Sequence, residues 1–357
     1  MKTILYDLHK SLGAQFVDFG GWEMPLQYIG ILQEHAAVRA KIGLFDVSHM
    51  GRIGIEGPDA ERFIDYLSSN KIAGKKELTA TYTVLCSEKG TAIDDTIIYR
   101  INNSHFFIIA NASNRQKDLD HLLRYSKDFK VSIIPYFNDE GILAVQGPLS
   151  KNLITRLFPE GKQLEKVMHF MKIPFRNRTI FLSSTGYTGA GGYEIYAPLT
   201  LITELWELLL KEGIPEGIVP VGLGARNTLR LEMGYALYGH EIDDTISPTE
   251  SVAAWCVKLD QRDFLGKSAL LALESSEKKR FSYGIVLTAP GVARDTYLLF
   301  KEGQEIGKVT SGAFSPTLNK SICLVMTQRL LNLGDHVEVQ IRNRRCPAEV
   351  TKIPFLN

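Results

Sequence analysis

The sequence lacks any excess of charge. Its 357 residues hold 41 Lys and Arg against 40 Asp and Glu, a formal net charge of +1. A dedicated nucleic-acid binder gathers basic residues on one face. Here the densest clusters, Lys278-Lys279-Arg280 and Arg342-Asn343-Arg344-Arg345, are short and read as solvated surface. Cysteine is scarce: Cys86, Cys256, Cys323 and Cys346 lie far apart, with no CxxC pair and no nearby histidine. That spacing excludes a zinc site and a disulfide framework, and leaves buried free thiols in a reducing compartment. No run of about 18 apolar residues exists, so no membrane-spanning helix is expected. The opening Met1-Lys2-Thr3-Ile4-Leu5-Tyr6-Asp7 puts an acid where a signal peptide needs an apolar stretch, which points to the cytoplasm. HExxH, GxxxxGK[ST] and GxSxG are all missing, and with them the metal helix, the phosphate loop and the nucleophile elbow.

What is present is ample core material, 45% apolar residues with 23% charged, in a length that suits two or three domains. Ile31, Leu32, Ala36, Val38 and Ile42 recur at helical spacing and predict a helix over 30–42, stopped by Gly43. Arg52 to Glu56 alternate as a strand, then Gly57-Pro58 leads into a helix bearing Phe63, Ile64 and Leu67. The same grammar returns ninety residues on, where Leu143 to Gln146, Gly147-Pro148, and Leu153, Ile154, Leu157 and Phe158 follow in order. Proline suits the first helical turn because its missing N–H would have no partner there. This is a candidate duplication of an α+β unit. Strand-like runs follow at Tyr82–Cys86, Thr96–Tyr99 and Phe106–Ala110, with helices over Lys117–Tyr125, Thr200–Lys211 and Gly222–Tyr235. The charged stretch Glu274 to Arg280 reads as a linker, and the pattern beyond it is all-β, with a hairpin turn at Lys301-Glu302-Gly303-Gln304. The expected organisation is therefore 1–276 as a large α+β region of two intertwined subdomains, and 277–357 as a small β domain.

Three segments could carry chemistry. In Lys89 to Tyr99, an extended chain puts Ile93, Asp95, Ile97 and Tyr99 on one face, with Asp95 among apolar neighbours. A carboxylate so placed needs a partner or is neutral, and could handle protons or hold a cationic centre. Equally, one of the two aspartates could cap the turn at Gly90 while the other is solvated. Glu194 follows the glycine-rich run Gly186 to Gly192 in an alternating segment, Tyr193-Glu194-Ile195-Tyr196. Since a strand and not a helix follows, nucleotide binding through that loop is unfavourable. A carboxylate there could take the paired N–H edge of a pterin or guanine ring, or simply face solvent. Arg226 and Arg230 lie one helical turn apart, able to meet a carboxylated ligand or to pair with Glu232. His49 sits in the most unusual context of the eight histidines, and as a lone histidine it reads as structural.

A set of blocks in register then carries a resemblance. These are Phe19-Gly20-Gly21-Trp22-Glu23-Met24-Pro25-Leu26, Gly43-Leu44-Phe45-Asp46-Val47-Ser48-His49-Met50-Gly51, Ile93-Asp94-Asp95 and Thr185-Gly186-Tyr187-Thr188-Gly189. Further on come Gly222-Leu223-Gly224-Ala225-Arg226, Leu237-Tyr238-Gly239, Phe264-Leu265-Gly266-Lys267 and Thr310-Ser311-Gly312-Ala313-Phe314-Ser315-Pro316-Thr317-Leu318. The chain resembles the aminomethyltransferases, the T-proteins of glycine cleavage systems, through nearly its whole length. The resemblance implies a three-domain α+β folate-binding fold with a C-terminal β-barrel or jelly-roll-like domain. It implies transfer of the one-carbon unit of an aminomethyl group on the lipoyl arm of H-protein to tetrahydrofolate, yielding 5,10-methylenetetrahydrofolate and ammonia. It places the functional aspartate at Asp95, the pterin-binding carboxylate at Glu194 and a folate-binding arginine at Arg226. Met50, Tyr82, Asn111, Tyr187 and Tyr238 match further pocket positions. No metal, nucleic acid or membrane is implied.

The chain departs from the family pattern at Ser184, where arginine is usual, at Ala190-Gly191, where Glu-Asp is usual, and at Asn227, where aspartate is usual. Its end, Leu356-Asn357, lacks the aromatic that relatives often carry. These changes remove charge around the Glu194 loop and bear on folate affinity more than on the reaction. Two other readings keep the fold. One is a folate-dependent demethylase of a small methylated compound. The other is a non-catalytic folate binder similar to the iron–sulfur-cluster maintenance paralogues, whose Lys-Gly-Cys-Tyr/Phe-x-Gly-Gln-Glu stretch is absent here.

Overall fold

Gly57 and Gly147 organise two copies of one chain path. Strand Gly51–Glu56 runs into Gly57 at φ +138° and then into helix Ala60–Leu67. Strand Glu140–Gln146 runs into Gly147 at φ +129° and then into helix Ser150–Leu157. A Cβ at Gly57 would lie 2.3 Å from the Lys130 carbonyl oxygen, and one at Gly147 would lie 2.3 Å from that of Lys41. The positive φ and the crossing backbone each demand glycine. After the helix, each copy forms three more strands. In both sheets the order, counted from the strand before the glycine, is second, third, fourth, first. The first sheet runs Thr79–Cys86, Ala92–Asn102, His105–Ala110, Gly51–Glu56, with Ser132–Pro135 at its edge; the second runs Phe170–Phe175, Arg178–Ser183, Gly192–Pro198, Glu140–Gln146, Ile42–Asp46, Ile218–Pro220. The duplication expected from two Gly-Pro junctions is thus repeated in strand topology.

The computed structural model describes residues 1–277 and 279–356, so Lys278 of the charged linker and Asn357 lie outside it. The described chain falls into two units. The first comprises Met1–Ile64, Ile72–Tyr82 and Thr96–Asn227; the second comprises Asp65–Lys71, Thr83–Asp95 and the chain from Thr228 onwards. Helix Leu199–Glu212 shows how the first unit builds its core. Ile202, Leu205, Trp206 and Leu209 form one stripe and are at most 1% exposed, packing with Leu44, Leu143, Val145 and Ile195 of the second sheet. Each such side chain contributes roughly 1.5–3 kcal/mol of burial. The helix expected over 30–42 spans Ile31–Ala40, and Ile42 and Gly43 instead open strand Ile42–Asp46. All five residues of that strand are buried, so it shows no alternation for periodicity to detect. The Gly20-Gly21 pair turns hairpin Gln15–Phe19/Trp22–Gln27, both glycines having positive φ.

In the second unit the all-β expectation resolves as a closed six-stranded barrel, in the order Phe281–Leu287, Lys320–Thr327, Gln304–Ser315, Leu298–Lys301, His336–Ile341, Arg344–Thr351. Glu302-Gly303 forms its two-residue hairpin turn, with φ +53° and +81°. Cys323 and Cys346 are buried in the barrel core, and all four cysteines are buried and free. The Thr310–Leu318 motif receives charges from the preceding segments. Thr310 donates its hydroxyl to Glu241 at 2.6 Å, Ser311 accepts from Arg230 at 2.7 Å, and the Ser315 and Thr317 hydroxyls donate to Glu232 at 2.5 and 2.9 Å. The charged stretch is less solvated than its composition suggests. Lys279 pairs with Glu274 at 2.6 Å, and Arg280 pairs at 2.7 Å with Glu250, which is 4% exposed. Among the described residues no helix is long and apolar enough to cross a membrane.

Candidate functional site

Strand Gly192–Pro198 carries Glu194 inward, against the solvent-facing alternative. Its Oε2 accepts the Thr185 hydroxyl at 2.5 Å, the Tyr196 hydroxyl at 2.9 Å and the Tyr99 hydroxyl at 3.5 Å. Tyr99 and Tyr196 are themselves 2.6 Å apart at their oxygens, and burial first, then the Glu194 charge, pushes both phenols well above their usual range. They therefore serve as neutral donors. These contacts all fall on Oε2. The supporting hydroxyls escaped the sequence reading, although Tyr196 stands two residues from Glu194 and so shares its face.

Arg226 projects from helix Leu223–Glu232, its guanidinium carbon 4.7 Å from the centroid of the Tyr187 ring. Burial lowers its pKa, opposed by the Tyr187 hydroxyl and by Glu194, which ties these three residues into one electrostatic neighbourhood. The first turn of that helix is anchored by Glu34, a fully buried side chain. Its Oε2 accepts the Gly222 N–H at 2.8 Å, while Oε1 accepts those of Tyr28, Ile29 and Gly30 at 2.5, 3.0 and 3.2 Å. A carboxylate at this position satisfies donors that a helix start leaves open. Arg230 does not join Arg226. It is 1% exposed and bound to Glu241 at 3.1 Å, to the Tyr235 carbonyl and to Ser311, a structural role.

Met50 is half-buried and closes the turn at Val47 through its N–H. Beside it His49 is 2% exposed, edge-on to Phe19 at 5.7 Å, and its Nδ1 has no hydrogen-bond partner among the described residues. Burial drives its pKa down to about 4, with Arg226 and Arg115 reinforcing and Asp46 opposing. His49 is therefore a neutral imidazole in the charge field of Arg226, closer to the site than its structural reading implied. Asn111 precedes the short turn Ala112–Asn114 that leads into the helix bearing Arg115. Ser184, in place of the usual arginine, turns its hydroxyl to the backbone carbonyls of Lys166 and His169, at 2.5 and 3.0 Å. Gly191 holds φ +74° and accepts the Gly147 N–H.

The second unit holds Asp95 and Tyr238. Strand Ala92–Asn102 does alternate, but with the opposite consequence for its two aspartates. Asp94 is fully buried, whereas Ile93, Asp95 and Ile97 form the partly exposed face. Asp95 is thus the reachable carboxylate of the pair and not one sealed among apolar neighbours. Tyr238 donates its hydroxyl to Asp244 at 3.0 Å, close to the Ala92 carbonyl oxygen at 3.5 Å. Burial, then the Asp244 hydrogen bond and the surrounding aspartates, raises its pKa and keeps it protonated. Cys256 lies within the field of Asp95, its thiol raised mainly by burial. Tyr82 is half-buried in strand Thr79–Cys86, at the boundary of the first unit.

Comparison with known proteins covers the whole chain. Residues 5–261 match the family described as the GCVT N-terminal domain, and residues 280–357 match the glycine cleavage T-protein C-terminal barrel domain. An aminomethyltransferase of Chlorobium luteolum is 41% identical over 99% of this chain and 98% of its own length. One from Desulfitobacterium hafniense is 39% identical over 99% of this chain and 97% of its own. The crystal structure of the glycine cleavage system aminomethyltransferase T from Bartonella henselae superposes with a TM-score of 0.91 at 31% identity, covering 100% of this chain and 98% of that one. Matched from end to end in both domains, the chain belongs to the glycine cleavage T-protein family.

Proposed function

We propose that this chain is an aminomethyltransferase: it takes the aminomethyl group on the lipoyl arm of an H-protein and passes its carbon to tetrahydrofolate, releasing ammonia. Full-length relationship to proteins named aminomethyltransferase supports the reaction class. Four free, buried thiols agree with work in a reducing cytoplasm.

The observation that carries the folate part of the reading is the one-sided solvation of Glu194. Three hydroxyls orient Oε2 and leave Oε1 for the N–H edge of a planar ring, and no cation competes for the carboxylate through a hydrogen bond among the described contacts. Arg226, 4.7 Å from the Tyr187 ring centroid, suits a carboxylated or aromatic ligand. Met50, Tyr82 and Asn111 of the first unit, each half-buried, are offered as further contacts, and Tyr238 of the second unit, also half-buried, is carried over from the resemblance. These residues would hold a reduced folate, whose secondary amines supply the nucleophile that accepts the carbon.

Asp95 serves as the catalytic carboxylate. Its charge stabilises the cationic carbon that develops as ammonia departs, and it takes up the proton released by the attacking amine. Partial exposure makes it available to substrate, as its fully buried neighbour Asp94 is not. Aminomethyl-loaded H-protein and tetrahydrofolate, mixed with the chain, should give methylenetetrahydrofolate and ammonia in equal amounts. Turnover only with a free methylated small molecule would replace this reading by the demethylase. Folate binding with neither reaction would leave a non-catalytic paralogue.

A further inference from the structure

The first unit contains a cavity lined by none of the Glu194–Arg226 group. Its volume is about 380 Å³, and Arg52, Tyr136, Phe107, Phe181, Lys172 and His105 are among its lining residues. Cavities of this size hold small organic ligands. Arg52 is 8% exposed, and its guanidinium carbon stands 4.4 Å from the Tyr136 ring centroid, 5.0 Å from that of Phe107 and 5.2 Å from that of Phe181. Glu140 approaches its Nε end at 2.5 Å. The guanidinium is thus surrounded by three rings and paired at one end with Glu140, while Arg52 still lines the cavity. Lys172 lines the same cavity, 5.6 Å from the Phe181 centroid, and makes no ion pair or hydrogen bond among the described residues. The lining acid, Glu56, is half-exposed and lies 3.9 Å from His105.

We propose that this cavity binds a small planar carboxylate, its charge set between Arg52 and Lys172 and its flat body against Tyr136 and Phe181. A largely buried guanidinium offers N–H donors in the fork geometry that a carboxylate matches, and the exposed Lys172 ammonium adds a second charge. Burial already depresses the Arg52 pKa, with Glu140 the main opposing influence, so a bound anion relieves an existing cost. With Arg52 paired to Glu140 and Glu56 half-exposed, the Lys172 ammonium, unpaired among the described residues, tips the site toward an anion over a neutral ring or a cation.

Benzoate is the test ligand, followed by isothermal titration and saturation-transfer NMR on the full chain. Saturable binding is expected, weakened by about tenfold or more in Lys172→Glu and unchanged in Arg226→Ala. Benzyl alcohol, of the same shape without the charge, should not bind. Lys172 is exposed, so its variant folds, and its transfer activity stays at the parent level. Absence of saturable benzoate binding overturns the proposal. So does equal binding of benzyl alcohol, an unchanged affinity in Lys172→Glu, or a loss in Arg226→Ala, which would move the ligand to the other site.

Discussion

Thr185 gives its hydroxyl proton to Glu194 at 2.5 Å, the shortest of three hydroxyl contacts on one carboxylate oxygen. The buried carboxylate is thus surrounded on that side by hydroxyl donors and not by a cation among the described contacts. Glu194→Gln should raise the KM for tetrahydrofolate by about tenfold or more, since charge-assisted hydrogen bonds are worth roughly 1.5–3 kcal/mol. Thr185→Val should raise it less, and in both variants kcat should fall less than KM rises. Steady-state kinetics with varied folate read this directly.

Asp94 and Asp95 are adjacent and face opposite ways, so their variants should separate stability from catalysis. Asp95→Asn should leave the melting temperature and folate binding near the parent values and lower transfer about a hundredfold or more. Asp94→Asn, at a fully buried position, should instead cost about 1–3 kcal/mol of stability. Thermal unfolding and single-turnover transfer, measured on both proteins, would show the division; an active Asp95→Asn protein would end the assignment.

Glu34 holds the start of the helix that carries Arg226. Glu34→Gln replaces an acceptor oxygen by a donor beside N–H groups and should cost about 1–3 kcal/mol. Folate KM should rise with it. Urea unfolding and folate titration together report the two effects.

His49 should make the protein sensitive to mild acid. Its folded pKa, near 4, lies below the ordinary histidine value of 6.5. Between those values the unfolded chain binds the proton that the folded one refuses, so stability falls as pH drops through that window. The loss amounts to at most about 3 kcal/mol. His49→Asn should flatten this part of the stability profile, as measured by urea midpoints from pH 7 to pH 4.

If Gly57 and Gly147 do the same work in two copies, Gly57→Ala and Gly147→Ala should be similarly damaging. Each combines a positive φ with a carbonyl 2.3 Å from the new Cβ. A loss of about 3 kcal/mol or more is expected for each, read from unfolding midpoints. A tolerated alanine at either would break the equivalence.

Local pattern was enough for much of this chain. Gly-Pro junctions announce the duplication, the run Thr96–Tyr99 falls within strand Ala92–Asn102, and Lys301-Glu302-Gly303-Gln304 announces a hairpin of the barrel. These features depend on neighbours in sequence, where backbone sterics and side-chain period act. Ile42 reads from the sequence as a helix end and Gly43 as its stop, whereas both open strand Ile42–Asp46, whose burial on both faces erases its period. The sequence also named Glu194, Asp95 and Arg226 as chemically capable groups. Which face of the strand is buried, and so that Asp94 is sealed while Asp95 is reachable, depends on what packs against it. Likewise Arg230 could not be told from Arg226 by spacing, since only the meeting with Glu241 and Ser311 makes it structural. The hydroxyls of Thr185, Tyr99 and Tyr196 converge on Glu194 from separate strands and a loop. Residue type and order set what each group can do; long-range packing, which excludes water and chooses partners, decided which of them does it.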